Sequence, residues 1–164
     1  MEGVMFNFAR KTLCVGASVA CLTFFSVSAQ AAPDNGLIIN KTVEGTCSVG
    51  NFSGWVKALA VLRAVGDHQE WTVTLHQYRI TKSNGQKGGN KANLDLSIVE
   101  AGNNSAETKS PDSMKQDGQL NFTDVSATVR ATQGVAPSVL LRAIFTFDKA
   151  GPDPWCDLRF HVPN

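Results

Sequence analysis

"WVKALAVLRAV", Trp55 to Val65, decides the fold class, because it is the stretch of the chain that reads either as helix or as strand. Its alanines and leucines, with Trp55, Leu59 and Leu62 at i, i+4 and i+7, would line one side of a three-turn helix. Its surroundings argue the other way. Gly54 and Gly66 bound it, the short polar turn Gly66 to Glu70 follows, and a strand-like run of similar length, Trp71 to Ile80, comes next, as in a hairpin. We read it as a strand, which makes the chain all-β.

The rest of the sequence supports that reading through alternation. In "WCDLRFHV", Cys156, Leu158, Phe160 and Val162 fall on one face and Trp155, Asp157, Arg159 and His161 on the other, the period of a half-buried strand. Val43, Cys47 and Val49 share a phase against Thr42, Glu44, Thr46 and Ser48, and Leu94, Leu96 and Ile98 alternate with Asp95 and Ser97. From Ser138 to Phe147, residues Val139, Leu141, Ala143, Phe145 and Phe147 face one way with Leu140 and Ile144 opposite, the pattern of a strand covered on both sides. Trp71, Val73 and Leu75 are in phase before the apolar positions jump to Tyr78 and Ile80, a shift that a β-bulge near His76 and Gln77 would absorb. A similar slip separates Phe122 from Val125.

About seven short strands separated by Gly, Pro, Asn and Asp turns imply an antiparallel β-sandwich of immunoglobulin-like architecture, without the antibody-type cysteine spacing. The polar segment Ala101 to Gln119 has no apolar periodicity and reads as a long loop, of the kind that binds a ligand or is disordered.

Arg10-Lys11, the apolar run Thr12 to Val27 and the small-residue "SAQAA" site are ordered as in a secretory signal peptide over residues 1–31. The expected product is one β domain, 32–164, secreted or periplasmic. Removing Arg10, Lys11 and Glu2 from fifteen basic and fourteen acidic residues leaves thirteen of each. That balance argues against a nucleic-acid ligand, whose phosphates demand excess Lys and Arg, and against an anionic membrane. Cys14 and Cys21 leave with the leader, so Cys47 and Cys156, both on inward phases, are expected to form one disulfide. With no C-x-x-C and no histidine close in sequence to either cysteine, no metal or redox site is expected there.

Motifs for catalysis are missing in specific ways. A phosphate loop needs G-x-x-x-x-G-K-[ST]; counting from Gly85, the sixth residue is Asn90, and Lys91 is followed by Ala92. The stretch Ile80 to Leu96 is better explained as a hairpin connection whose glycines supply positive φ. "GNFSG" places Ser53 one residue too late for a nucleophile elbow. His68, His76 and His161 lack metal-ligand spacing, and Asp112 and Asp117 do not fit a calcium loop. His68 reads as a turn residue and His161 as an exposed strand residue. Asn40, Asn51, Asn103 and Asn121 begin Asn-x-Ser/Thr triplets, which matter only in a eukaryotic secretory pathway.

The expectation is therefore a non-enzymatic binding module with no cofactor and no metal, holding a glycan or protein in loops at one end of the sandwich. Lys82, Asn84, Lys87, Asn90 and Lys91 are the candidate contacts, with Tyr78 and Trp155 as exposed rings that stack on sugars or anchor a partner. The alternatives are an inhibitor or toxin-like effector acting through 101–119, and a small secreted hydrolase.

Overall fold

The computed structural model describes residues 36–83, 85 and 89–163; the segment 1–31 expected to be a signal peptide, Asn84 and Lys87 lie outside them. The ambiguous stretch is strand. It belongs to β2 (Phe52–Val65), which starts ahead of Gly54 and buries Phe52, Gly54, Val56, Ala58, Ala60 and Leu62 in strict alternation. The helical stripe is split by this period: Leu62 enters the core, while Trp55 and Leu59 lie half-buried on the outer face beside Lys57.

β1 (Leu37–Val49), β2 and β3 (His68–Lys82) form a consecutive antiparallel meander, and β3 also pairs with β6 (Asn121–Phe122) and β7 (Ser126–Arg130). The second sheet runs β5 (Ser105–Thr108), β4 (Asn93–Glu100), β8 (Val139–Thr146), β9 (Trp155–Val162), again antiparallel throughout. Among the described residues there is no helix. The sandwich-like core between the sheets takes Trp71, Val73 and Leu75 from β3, Leu94, Leu96 and Ile98 from β4, and Leu141 and Phe145 from β8. Full burial of each large apolar side chain contributes about 1.5–3 kcal/mol relative to exposure.

The bulge lies where the phase shift puts it. Lys57 pairs with Gln77 and Ala58 with Leu75, leaving His76 as the extra residue. The slip after Phe122 is likewise real, since β6 ends there and β7 begins at Ser126.

Four expectations need correction. Nine strands are present among the described residues instead of about seven, because β5 and β6 are short pieces whose partners, not their own sequences, define them. β8 is covered on one side only: Leu140 is 42% exposed on the outer face. Residues 83–92 are no hairpin connection but carry the chain from β3 to β4 in the other sheet, with Gly85 at φ +66°. The segment 101–119 is not a free loop, since it contains β5 and buries Ser110, Met114 and Gln116.

Along one side the sheets are tied by their edge strands. Cys47 of β1 and Cys156 of β9 form a disulfide with Cα atoms 6.0 Å apart. Gly45 faces Leu158 and Phe160, and the Lys41 ammonium donates to the Pro163 carbonyl at 2.9 Å. Such a crosslink points to an oxidising, extracellular-type environment.

Candidate functional site

The lysine-rich end is stitched shut from within. Gln116, 1% exposed, donates from Nε2 to the carbonyls of Gly89 (2.8 Å) and Asp148 (2.9 Å), and its backbone N–H donates to Asn90 Oδ1 at 3.0 Å. The Lys91 amide donates to Asp148 Oδ2 at 3.1 Å, and Met114 bridges to Ala92. Lys82 is half-buried at the end of β3, Asn90 and Lys91 are exposed in the crossover, and Trp155 opens β9 at the same end of the sandwich. Asn90 thus has a structural task, and Asn84 and Lys87 lie outside the described residues.

Tyr78 is corrected from an exposed ring to a core residue. It is 3% exposed, because the His76 bulge flips the phase and turns position 78 inward, and its hydroxyl accepts the Lys115 amide at 2.9 Å. Trp155 does stand out, 57% exposed on the outer face of the second sheet. His161 is exposed on β9 and His76 at the bulge, while Ser53 is bonded to Ser48 and the Cys47 carbonyl beside the β1–β2 turn.

The opposite end of the sandwich carries a cleft of about 510 Å³. Ile38 at the start of β1, Ala64 to Gln69 around the β2–β3 hairpin, and Ala131 to Pro137 between β7 and β8 form its walls. Depressions on the strand faces are about half that size, such as the one of about 220 Å³ beside His76. The volume lies within the range of ligand-binding clefts, about 300–1,000 Å³.

His68 is the polar centre of this cleft. Its Nε2 lies 2.7 Å from Glu70 Oε1 and its Nδ1 3.0 Å from Asp67 Oδ1, while Arg130 approaches Asp67 at 3.7 Å. Hydrogen bonding to Glu70, then to Asp67, raises the imidazole above its ordinary pKa, and the His68 bond holds the Asp67 carboxyl below the usual range. Both ring nitrogens are committed to these carboxylates, on opposite sides of the ring. This geometry orients donors and acceptors at the rim and supplies neither a histidine paired to a hydroxyl nucleophile nor a set of ligands converging on a metal.

Behind the cleft, buried Glu100 fastens the wall. Its carboxylate accepts the Thr132 hydroxyl at 2.7 Å, the Asn104 amide at 3.1 Å and the Thr132 amide at 3.3 Å. Burial pushes its pKa up, but these hydrogen bonds, with that of the Gly102 amide, outweigh burial and leave it lowered and ionised. Gly102 has no room for a side chain, which would collide with Thr132.

Sequence reasoning took His68 for a turn residue and missed the cleft. The local signal is Asp67-His68-x-Glu70: positions 68 and 70 share a strand face, and Asp67 precedes them in the turn. Comparison with protein families, with curated proteins and with solved structures finds no match to this chain.

Proposed function

We propose that this chain is an exported, non-enzymatic binding module, secreted or periplasmic, that holds a glycan or protein ligand in the loops at the His68 end of the sandwich. The observation that carries this reading is the cleft of about 510 Å³, with apolar Ile38, Ala64 and Val135 beside polar His68, Gln69 and Gln133. Such a lining suits a projecting part of a larger ligand, a terminal sugar or one protein side chain, which buries a ring or methyl face and hydrogen-bonds at the rim. Two antiparallel sheets with loops gathered at both ends support reading the layers as immunoglobulin-like, although the β1–β2–β3 meander connects its strands differently from an antibody-type domain. Concentration of binding residues in loops on a rigid sandwich is the general pattern for such modules.

The test is capture of proteins and glycans on immobilised, oxidised protein beside a Val135→Trp variant that fills the cleft, read by mass spectrometry. A species held by the first and lost from the second names the ligand class. Equal capture by both removes the cleft from the reading.

A further inference from the structure

The two sheets protect their outermost strands unevenly. β5, β6 and β7 are short, at four, two and five residues, and β9 has eight. β1 runs thirteen residues, and among the described residues it pairs with β2 alone. An edge of that length is a template for another strand unless charges, prolines or bulges blunt it. β1 has no proline, and its one register shift sits at its start, between Leu37 and Ile39. Its lysine, Lys41, is drawn across the seam to the Pro163 carbonyl and does not guard the edge.

The direction of the backbone groups follows from the neighbouring ladders. The Ser83 amide donates to the Asn51 carbonyl and the Ala64 amide to that of Gly36, so the even-numbered residues of β2 from Phe52 to Ala64 turn their N–H and C=O toward β1. Their partners Val49, Cys47, Gly45, Val43 and Lys41 bond back to β2. Asn40, Thr42, Glu44, Thr46 and Ser48 therefore turn their N–H and C=O to the open edge, where these groups have no backbone partner among the described residues.

Val43 is the midpoint of β1. Laid antiparallel on a second β1 about that point, the strand overlaps along its full length and the pleats match. Val43 meets Val43 and Ile39 meets Cys47 on the inner face, while Thr42 meets Glu44 and Asn40 meets Thr46 on the outer face. No like charges are opposed. Slipping by two residues one way sets Glu44 against Glu44, and slipping the other way sets Val43 against Lys41, so charge and burial select the central register.

We propose that β1 pairs edge to edge with β1 of a second copy of this chain in this register, a two-fold dimer that joins two β1–β2–β3 meanders into one continuous sheet. A contact of this kind closes on itself and leaves no β1 edge free to propagate. Because the paired strands run antiparallel, the two His68 clefts lie at opposite ends of the dimer.

Sedimentation equilibrium of the oxidised protein from micromolar to millimolar concentration reads the association, and residue-resolved amide exchange reads which edge is covered. The expected result is a monomer–dimer equilibrium in which the Thr42, Glu44 and Thr46 amides slow as the dimer forms. Thr42→Pro removes an outward donor without touching the β1–β2 ladder and lowers association at least tenfold. Thr42→Lys faces Glu44 of the other copy and tightens association severalfold, whereas Thr42→Glu weakens it by a similar factor, both effects fading with salt. Circular dichroism checks that these exposed substitutions leave the strands intact. A wild type that stays monomeric, association unchanged in Thr42→Pro, equal shifts in Thr42→Lys and Thr42→Glu, or a dimer whose outward β1 amides still exchange fast overturns the proposal.

Discussion

A Cβ placed on Gly54 would stand 2.6 Å from Cγ of Phe145, so the Phe145 ring lies against the bare backbone of β2. Phe145 in turn stacks on Phe147, centroids 5.9 Å apart, and Phe147 on Phe52 at 5.2 Å, so one aromatic column joins the two sheets. What position 54 requires is space, and no positive φ is involved.

Gly54→Ala is therefore expected to destabilise the protein by about 1–3 kcal/mol through overpacking, despite the gain that alanine normally brings in a strand. Thermal or urea unfolding measures it. Pairing the change with Phe145→Leu should recover part of the loss as a coupling energy; strict additivity would mean that the ring is not the obstacle.

Removing the disulfide with Cys47→Ala and Cys156→Ala together is expected to lower unfolding stability by about 2–4 kcal/mol, since the crosslink restrains a very long loop of the unfolded chain. Sequence separation is 109 residues. The variant should keep its strand circular dichroism, because the fully buried core lies between the sheets and does not depend on the bridge. A urea midpoint equal to that of the oxidised wild type would contradict this.

His68 predicts a stability change with a definite sign. Its folded pKa is raised by Glu70 and Asp67, so its contribution is complete below the ordinary histidine value of about 6.5 and disappears as pH rises through the raised folded value. The Asp67 carboxyl, lowered in the fold, contributes in the opposite sense: present above its unfolded value and lost as acid is added. Comparing wild type with His68→Gln by thermal unfolding from pH 5 to 9, the wild-type advantage should be largest at mildly acidic pH and shrink toward alkaline pH. An advantage that grows with pH would refute the assignment.

Gln116→Ala should cost about 1–3 kcal/mol by emptying a buried position and removing the donor shared by the carbonyls of Gly89 and Asp148. Gln116→Glu should cost more at neutral pH, since a carboxylate would oppose two carbonyl oxygens, and the difference should narrow on acidification. Hydrogen exchange at residues 89–92 and 148–150 would report the opening of that end.

Local periodicity made the strands readable where it was undisturbed, as in β4 and β9, and it also located the bulge at His76. Gly54 misled because a glycine announces a turn locally, whereas its reason here is a phenyl ring some ninety residues away. The buried Ser110, Met114 and Gln116 were invisible for a similar reason: their partners are Asp95, Ala92 and the carbonyls of Gly89 and Asp148. Tyr78 shows that a correctly placed bulge still has to be carried through to the next side chain. The cleft was out of reach because its walls come from three separate regions of the chain, and only the carboxylates on either side of His68 left a trace in sequence.

Cys47 is synthesised 109 residues ahead of Cys156, and Cys156 belongs to β9, the last of the described strands. During synthesis the first thiol therefore waits for its partner, while the β1–β2–β3 meander can assemble from neighbours in sequence. The crosslink can close only after the chain has been made through Cys156. It acts as a seal on assembly, and a molecule whose Cys156 is chemically blocked before oxidation would carry a finished sandwich with an open seam.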